Sequence, residues 1–170
     1  WNIINDCIAN ISSEASRRKI KIIPLQSDPF LTTVYADKTR FRQVVLNLLS
    51  NAIKYNRDAG KVVIDAEQLN NTMLRIKFTD TGCGMKTSSQ SEVFEPFSRL
   101  GQEASQIEGT GIGLAISKKL IEQMNGAMDF KSKPGQGSEF WIDVPTGCEP
   151  SHKFESFESS GTNFTKVNNM

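Results

Sequence analysis

This sequence has almost no net charge and only one histidine. The 20 lysines and arginines against 19 aspartates and glutamates leave a net charge of +1. Proteins that bind nucleic acid or anionic membranes usually carry a basic excess, so we expect neither as a partner. The one histidine, His152, stands in a polar stretch and is interpreted as a solvent-exposed side chain. No cluster of cysteine and histidine predicts a zinc site.

Cysteine is rare as well, and long apolar runs are missing. Cys7, Cys83 and Cys148 lack metal-binding spacing and cannot all pair with one another, which indicates a reducing compartment. No segment approaches the roughly 20 apolar residues of a membrane-spanning helix, and no signal peptide is visible, so we expect a cytoplasmic domain without direct membrane contact. The absence of His-Arg-Asp and Asp-Phe-Gly motifs excludes an ordinary Ser/Thr/Tyr protein kinase. Because the first residue is Trp1, we expect the sequence to be part of a longer protein.

What the sequence does contain predicts one globular domain followed by a polar tail. With 38% hydrophobic and 23% charged residues, the 170-residue chain is large enough to bury a core. Residues 1–147 form the predicted domain. Residues 148–170 are rich in Ser, Glu, Lys, Asn and Gly and are predicted to be a linker or a flexible tail.

Apolar periodicity and turn residues predict the helices and strands. Helical spacing covers three segments, 1–18, 37–56 and 113–125. Alternating or β-branched runs predict five strands, at 19–25, 61–69, 72–80, 128–132 and 138–144. The two hairpins are predicted to turn at Asn70-Asn71 and at 134–137, and Gly126 is predicted at the C′ position of the third helix. The Gly- and Ser-rich segment 81–111 is long enough to predict a lid or binding loop.

The helix predicted at 37–56 carries one narrow polar stripe. At about 100° per residue, Gln43, Asn47, Asn51 and Lys54 fall within one ~90° arc. The opposite side is predicted to be core and consists of Phe41, Val45, Leu48, Leu49, Ala52 and Ile53. A solvated face usually carries Lys, Glu or Arg, which form helices better than Asn does. Two amides can orient a metal ion or its waters, and the Lys can meet a phosphate, so the stripe outlines a nucleotide site.

A carboxylate is predicted on the buried side of the strand at 72–80. Asp80 shares its strand parity with the apolar residues Leu74, Ile76 and Phe78. Since a buried carboxylate is costly without a donor, Asp80 either forms an Asp-Thr-Gly turn at the strand end or accepts from the amine of a bound base. In the second case Gly82 and Gly84 let the backbone approach a flat ligand, and Met85 contacts its ring. An aspartic protease is disfavoured, because one such triplet requires dimerisation and an all-β chain.

The segment 81–111 leads into Gly109-Thr110-Gly111-Ile112-Gly113-Leu114. Glycines at a helix N-terminus expose N–H groups beside the positive end of the helix dipole, which predicts a phosphate cradle, with a flexible hinge as the alternative. The segment lacks the Gly-Lys-Ser/Thr end of a P-loop. Leu114 also replaces the third glycine of a dinucleotide fingerprint.

Further candidate residues lie inside the segment 81–111 and at the second predicted hairpin. Phe94 and Phe97 are predicted to be a small hydrophobic anchor, and Arg99 a cation that braces a phosphoryl group or docks a partner domain. The glycines at 134–137 are interpreted as turn residues. Ser138 lies on the predicted inner face of its strand, from which it can reach the base.

Taken in order, five motifs resemble the N, G1, F, G2 and G3 boxes of the sensor histidine kinases. They are Asn47-Leu-Leu-Ser-Asn51-Ala-Ile-Lys54-Tyr55, Asp80-Thr-Gly-Cys-Gly84-Met, Phe94-Glu-Pro-Phe97, Gly109-Thr-Gly-Ile-Gly113-Leu and Gly135-Gln-Gly-Ser. The resemblance implies the α+β Bergerat ATP-binding fold that DNA gyrase B, Hsp90 and MutL share. In this two-layer sandwich about three helices cover one face of a mixed, mainly antiparallel sheet of about five strands.

The resemblance also implies ATP and Mg²⁺ as ligands. Asn51 would coordinate Mg²⁺ with help from Asn47, and Lys54 would meet phosphate. Tyr55 would stack beside the adenine, whose amino group would donate to Asp80. The other implied nucleotide-binding residues are Gly82, Gly84, Met85, Gly109, Thr110, Gly111, Ile112, Gly113, Leu114 and Ser138. The implied catalytic residues are Asn47, Asn51, Lys54 and Arg99. The loop at about 97–108 would be a lid that nucleotide orders.

This sequence departs from the patterns of related proteins in two ways, and both narrow the predicted activity. The hydrolysing relatives carry a water-activating Glu where this chain has Asn47, and an amide cannot take a proton. The family's phosphoacceptor histidine lies in a separate dimerisation domain, and no such motif occurs here. We therefore predict the catalytic half of a homodimeric sensor histidine kinase, which phosphorylates that domain for relay to an aspartate of a response-regulator receiver domain. A hydrolytic ATPase and a degenerate regulatory module are the alternatives.

Overall fold

The computed structural model describes residues 1–24, 33–98 and 110–147. Its helices are α1 (Asn2–Arg17), α2 (Lys38–Lys54) and α3 (Gly113–Gln123). Its strands are β1 (Lys21–Ile23), β2 (Lys61–Asn70), β3 (Met73–Asp80), β4 (Ala127–Lys133) and β5 (Gly137–Pro145). A 3-10 helix, Thr87–Glu92, lies within the predicted loop. The tail at 148–170 and most of the predicted lid lie outside the described residues.

The five strands form one mixed sheet in the order β1-β2-β3-β5-β4. Strand β1 runs parallel to β2, and the other neighbouring pairs are antiparallel. Alternation sends one set of strand side chains into the core, as on Ile64, Ile76 and Ile142. The helices cover this face, because their apolar residues belong to the same buried cluster. The predicted two-layer α+β sandwich is therefore confirmed.

The opposite face of the sheet is polar and held by ion pairs. Arg75 meets Asp143 on β5 through two hydrogen bonds of 2.7 and 2.8 Å. Burial opposes the charge on Glu139, but hydrogen bonds from Lys131 and Thr79 hold the pKa of its carboxyl below the usual value. In the described part of the chain, none of the helices is long and apolar enough to cross a membrane.

Of the helix ends, the C-terminal end of α3 differs from the sequence prediction. Asp37 caps the start of α2, where its carboxylate accepts from two backbone N–H groups at 2.9 Å. At the end of α3 the left-handed C′ residue is Asn125, with φ at 58°, so the placement of Gly126 at C′ was wrong by one residue. Glycine is needed at Gly126 because a Cβ there would collide with the carbonyl oxygen of Asp143.

The first hairpin turns one residue later than predicted. Asn70 still pairs with Met73 in the β2–β3 ladder, so Asn71 and Thr72 form the turn. The Asn70 Oδ1 atom accepts from both the N–H and the hydroxyl of Thr72 at 2.9 Å. This local side-chain hydrogen bonding extends the strand into the predicted turn. The second hairpin turns at residues 134–136, one residue shorter than the predicted 134–137, because Gly137 already pairs with Lys133 in the β4–β5 ladder.

Candidate functional site

The carboxylate of Asp80 lies at the end of β3 on the helix-covered side of the sheet, and the residue is 7% exposed. Its Oδ1 atom accepts hydrogen bonds from the N–H groups of Gly82, at 2.7 Å, and Ser138, at 3.3 Å. Burial raises the pKa of this carboxyl, and the two backbone hydrogen bonds oppose the rise. The Oδ2 atom receives no hydrogen bond from any described residue. The Asp-Thr-Gly turn is present, and one buried oxygen still remains available to a ligand's donor.

Three glycines let the backbone close around Asp80. A Cβ at Gly82 would collide with the Tyr55 carbonyl, and one at Gly137 would collide with the Asp80 carbonyl. Gly84, with φ at +63°, packs in the same way against the Lys133 carbonyl. Close backbone packing therefore requires these glycines, apart from any approach to a ligand.

A small hydrogen-bond network supports the wall beside Asp80. The hydroxyl groups of Ser132 and Ser138, which are register partners on β4 and β5, lie 2.9 Å apart. The Met85 N–H donates to Ser132 Oγ at 2.9 Å. Gln90 then donates from Nε2 to the carbonyls of Met85, at 3.2 Å, and Ser132, at 3.1 Å. The predicted pairing of 128–132 with 138–144 could have pointed to Ser132, whereas no sequence signal pointed to Gln90.

The polar stripe of α2 divides into two parts. Asn47 faces α3: its Nδ2 atom donates to Ser117 Oγ at 2.9 Å, and its Oδ1 atom occupies the space that a Cβ at Gly113 would need. Asn51, one turn later, is half-buried, and its amide makes no hydrogen bond within the described residues. At the end of the helix, the Lys54 ammonium lies 5.4 Å from the centre of the Tyr55 ring.

The start of α3 has N–H groups without a side-chain acceptor among the described residues. Its N-cap residue, Ile112, provides no side-chain cap for them. The preceding Gly111 has φ at +71° and packs against the backbone of Phe97 and Ser98. Thr110 is exposed, and Leu114 packs against the core. Gly109 and Arg99 lie outside the described residues.

The two phenylalanines of the F box behave differently. Phe94 packs against the core, with its ring edge-on to Phe130 at 5.6 Å and the Lys118 ammonium 4.3 Å from its centre. Phe97 is 78% exposed and has φ at 66°. The prediction that both rings anchor the loop is therefore right for Phe94 and wrong for Phe97.

A model of the histidine kinase-, DNA gyrase B- and HSP90-like ATPases matches residues 36–147. The chain belongs to this family. Sensor histidine kinase GacS of Pseudomonas protegens is 34% identical over 147 residues, which cover 84% of this chain and 16% of that protein. The kinase SasA of Synechococcus elongatus is 39% identical over 115 residues, which cover 68% of this chain and 30% of that protein.

Solved structures of histidine kinases share the fold of this ATPase-family chain. Full-length ShkA in complex with AMPPNP matches with 32% identity and a TM-score of 0.72, over 88% of this chain and 31% of that one. The catalytic domain of histidine kinase ThkA matches with 25% identity and a TM-score of 0.71, over 85% of this chain and 90% of that one. The predicted fold and family are confirmed, while the chain spans only a minor part of the GacS and SasA proteins.

Proposed function

We propose that this domain binds Mg²⁺·ATP and transfers the γ-phosphoryl group to a histidine on a separate dimerisation domain, for relay to a response-regulator aspartate. The observation that carries the proposal is the buried carboxylate of Asp80, with Oδ1 held by backbone N–H groups and Oδ2 available to a donor. The exocyclic amine of adenine is such a donor. The AMPPNP bound to the related ShkA supports an adenine nucleotide as the ligand.

The resemblance to the boxes of the sensor histidine kinases supports the remaining proposed roles. Tyr55 and Met85 contact the base, and Ser138 lines its edge. Lys54 and the N–H groups at Gly111–Leu114 meet the phosphates, since both provide positive charge or donors for an anion. Arg99 belongs to the proposed lid at about 97–108, and Gly109 follows that lid directly.

Asn51 fits a role as a Mg²⁺ ligand. Its side-chain amide oxygen is a hard oxygen ligand and has no protein partner in the described part of the chain. In kinases Mg²⁺ takes few protein ligands, because substrate phosphates and waters provide the rest. Among the described residues, no group of three His, Cys, Asp or Glu side chains could hold a metal by itself. When bound, the ion would neutralise charge on the phosphates.

Asn47 favours phosphoryl transfer over hydrolysis. Its amide contacts Ser117 and Gly113, and it has no basic group with which to activate water. The γ-phosphoryl is then left for a better nucleophile, a neutral imidazole, and the domain contributes positioning and charge neutralisation. We infer that the full-length kinase is a homodimer and that this domain works in the cytoplasm, where ATP is available.

Calorimetric titration of the chain with Mg²⁺·AMPPNP and Mg²⁺·GMPPNP tests the nucleotide assignment. Guanine presents a carbonyl where adenine presents its amine, so we expect at least about tenfold weaker binding of the guanine analogue. Equal affinities, or no binding of either analogue, would refute the assignment.

Transfer is tested by adding γ-labelled ATP and the purified dimerisation domain of the same protein. We expect acid-labile label on its histidine and little release of free phosphate. Rapid phosphate release from the chain alone would instead support a hydrolytic ATPase. Binding without either reaction would support a regulatory module.

A further inference from the structure

The C-terminal end of α2 carries two residues of the proposed nucleotide site, Lys54 and Tyr55. The last carbonyl groups of a helix have no intrahelical donor, so their partners decide how the final turn is oriented. At this end the carbonyls of Asn51 and Ile53 accept from the N–H groups of Tyr55 and Asn56 just beyond the helix, and further donors come from elsewhere in the fold.

Arg18 supplies the largest share of those donors. Its Nη1 atom donates to the carbonyls of Ile53, at 2.5 Å, and Lys54, at 2.9 Å. Its Nη2 atom donates to the carbonyl of Asn56 at 2.6 Å, and its Nε atom to Asp58 at 3.2 Å. One guanidinium thus binds three backbone carbonyls and one carboxylate where the chain leaves α2. Its positive charge is also favourable at the negative end of the helix dipole.

The backbone of Arg18 is itself fixed. Arg18 is the C-cap of α1, and Lys19 follows in the left-handed conformation with φ at 55°. The N–H groups of Lys19 and Ile20 donate back to Ser16 and Ala15 at 3.0 and 2.9 Å, which is a Schellman motif. The Arg18 carbonyl accepts from the loop after α2, at Ala59 N. The guanidinium therefore extends from a fixed position.

The same turn is connected to the loop that follows Asp80. The Tyr55 carbonyl accepts from Cys83 N at 3.2 Å. Asn56, only 6% exposed, donates from Nδ2 to the carbonyls of Ala52 and Lys61 and accepts on Oδ1 from the Thr81 hydroxyl at 3.1 Å. These hydrogen bonds hold the last turn of α2 against the loop after Asp80. If that turn were displaced, Lys54 and Tyr55 would change position relative to Asp80.

We infer that Arg18 is a positioning residue for the nucleotide: it sets the orientation of the final turn of α2 and, through it, the places of Lys54 and Tyr55. This inference rests on the proposed function, because it concerns ATP bound at that site. Arg18 lies about 60 residues before Asp80 and belongs to none of the family-like boxes.

The test compares Arg18→Ala and Arg18→Lys with Arg42→Ala in the full 170-residue chain. Arg42 is a matched control, because it also joins α1 to α2, through a 2.9 Å ion pair with Asp6, but stands at the other end of α2. The readouts are the Kd for Mg²⁺·AMPPNP by calorimetry at a temperature well below the melting temperature, and the melting temperature without nucleotide.

We expect Arg18→Ala to bind about tenfold more weakly, since small misplacements of binding groups are costly, and Arg42→Ala to bind as the wild type does. A lysine has one nitrogen in place of the guanidinium fork and cannot reach all the carbonyls, so Arg18→Lys is expected to bind about threefold more weakly.

A purely structural role predicts a different pattern, in which Arg18→Ala lowers the melting temperature while the folded protein keeps the wild-type Kd. That result would overturn the inference. If Arg18→Ala does not fold, Arg18→Lys decides, and a wild-type Kd for it would be equally contrary. Failure of the wild type itself to bind would instead contradict the proposed function.

Discussion

Asp80 and Asn51 belong to two regions of the candidate site that differ in how far the protein satisfies their polar groups. The base region, which we define as Asp80, Gly82, Ser132 and Ser138, is joined by hydrogen bonds between strands and loop. The phosphate region, which we define as Asn51, Lys54 and the first turn of α3, makes far fewer such bonds to the residues that the structure describes. The Asn51 amide has no hydrogen-bond partner among the described residues.

This difference corresponds to two kinds of recognition. A base is neutral and flat, so discrimination requires a donor and acceptor pattern that exists before binding. Triphosphate and Mg²⁺ are highly charged, and they bring ligands and waters of their own to the site. A protein can therefore leave groups there unpaired until the ligand arrives.

The largest expected effect comes from Asp80→Asn, which replaces a hydrogen-bond acceptor of the base region with a donor. If the amide oxygen keeps the bonds to Gly82 and Ser138, the amide nitrogen replaces Oδ2 and presents a donor to the adenine amine. We expect AMPPNP affinity to fall by at least about 100-fold, because two donors then face each other. Titration calorimetry measures the loss, with circular dichroism to verify folding. Wild-type affinity would show that Asp80 does not meet the base.

Asn51→Ala examines the phosphate region and should have a smaller effect. Removing one ligand of the ion is expected to weaken Mg²⁺·AMPPNP binding about tenfold, while binding of the analogue in EDTA changes little. Gln43→Ala is the control, because Gln43 is an exposed amide on the same stripe. If Asn51→Ala lowers the affinity for AMPPNP equally with and without Mg²⁺, Asn51 does not act through the ion.

Gln90→Ala tests whether the base region depends on the network behind it. Losing the two hydrogen bonds from Nε2, each typically about 0.5–1.5 kcal/mol, should weaken AMPPNP binding about three- to tenfold, because Gln90 acts on the base only through Met85 and Ser132. Ser91→Ala, an exposed position on the same 3-10 helix, should bind normally. An unchanged Kd for Gln90→Ala would show that Met85 and Ser132 hold their places without it.

Acidification should have the smallest effect near neutral pH and should act in opposite directions on affinity and stability. Burial raises the pKa of Asp80 above the usual carboxyl value, so the folded state binds this proton more tightly than the unfolded chain does. As the pH falls through that raised pKa, AMPPNP affinity should decrease while the Asp80 contribution to the free energy of unfolding increases. Titrations and thermal melts across this range measure both, and Asp80→Asn should lose the part of the pH dependence of stability that Asp80 causes.

Sequence patterns predicted much of this fold because the elements are strongly periodic. The helix containing Phe41, Leu49 and Ile53 was placed correctly, with those residues buried. Element ends were less predictable. Lys19 and Asn125 take left-handed positions that glycine usually fills, because the backbone hydrogen bonds of the helix end outweigh a modest steric cost.

The sequence by itself determined the order of helices and strands and the burial of Asp80, because period and parity are local properties of the chain. Its five motifs carried the resemblance that identified the family. Only the tertiary structure decided that Asn47 faces Ser117, that Gln90 supports Ser132, and that Arg18 holds the end of α2. These contacts join residues about 35 to 70 positions apart, and their geometry depends on how helices pack on the sheet. No local pattern encodes such an approach.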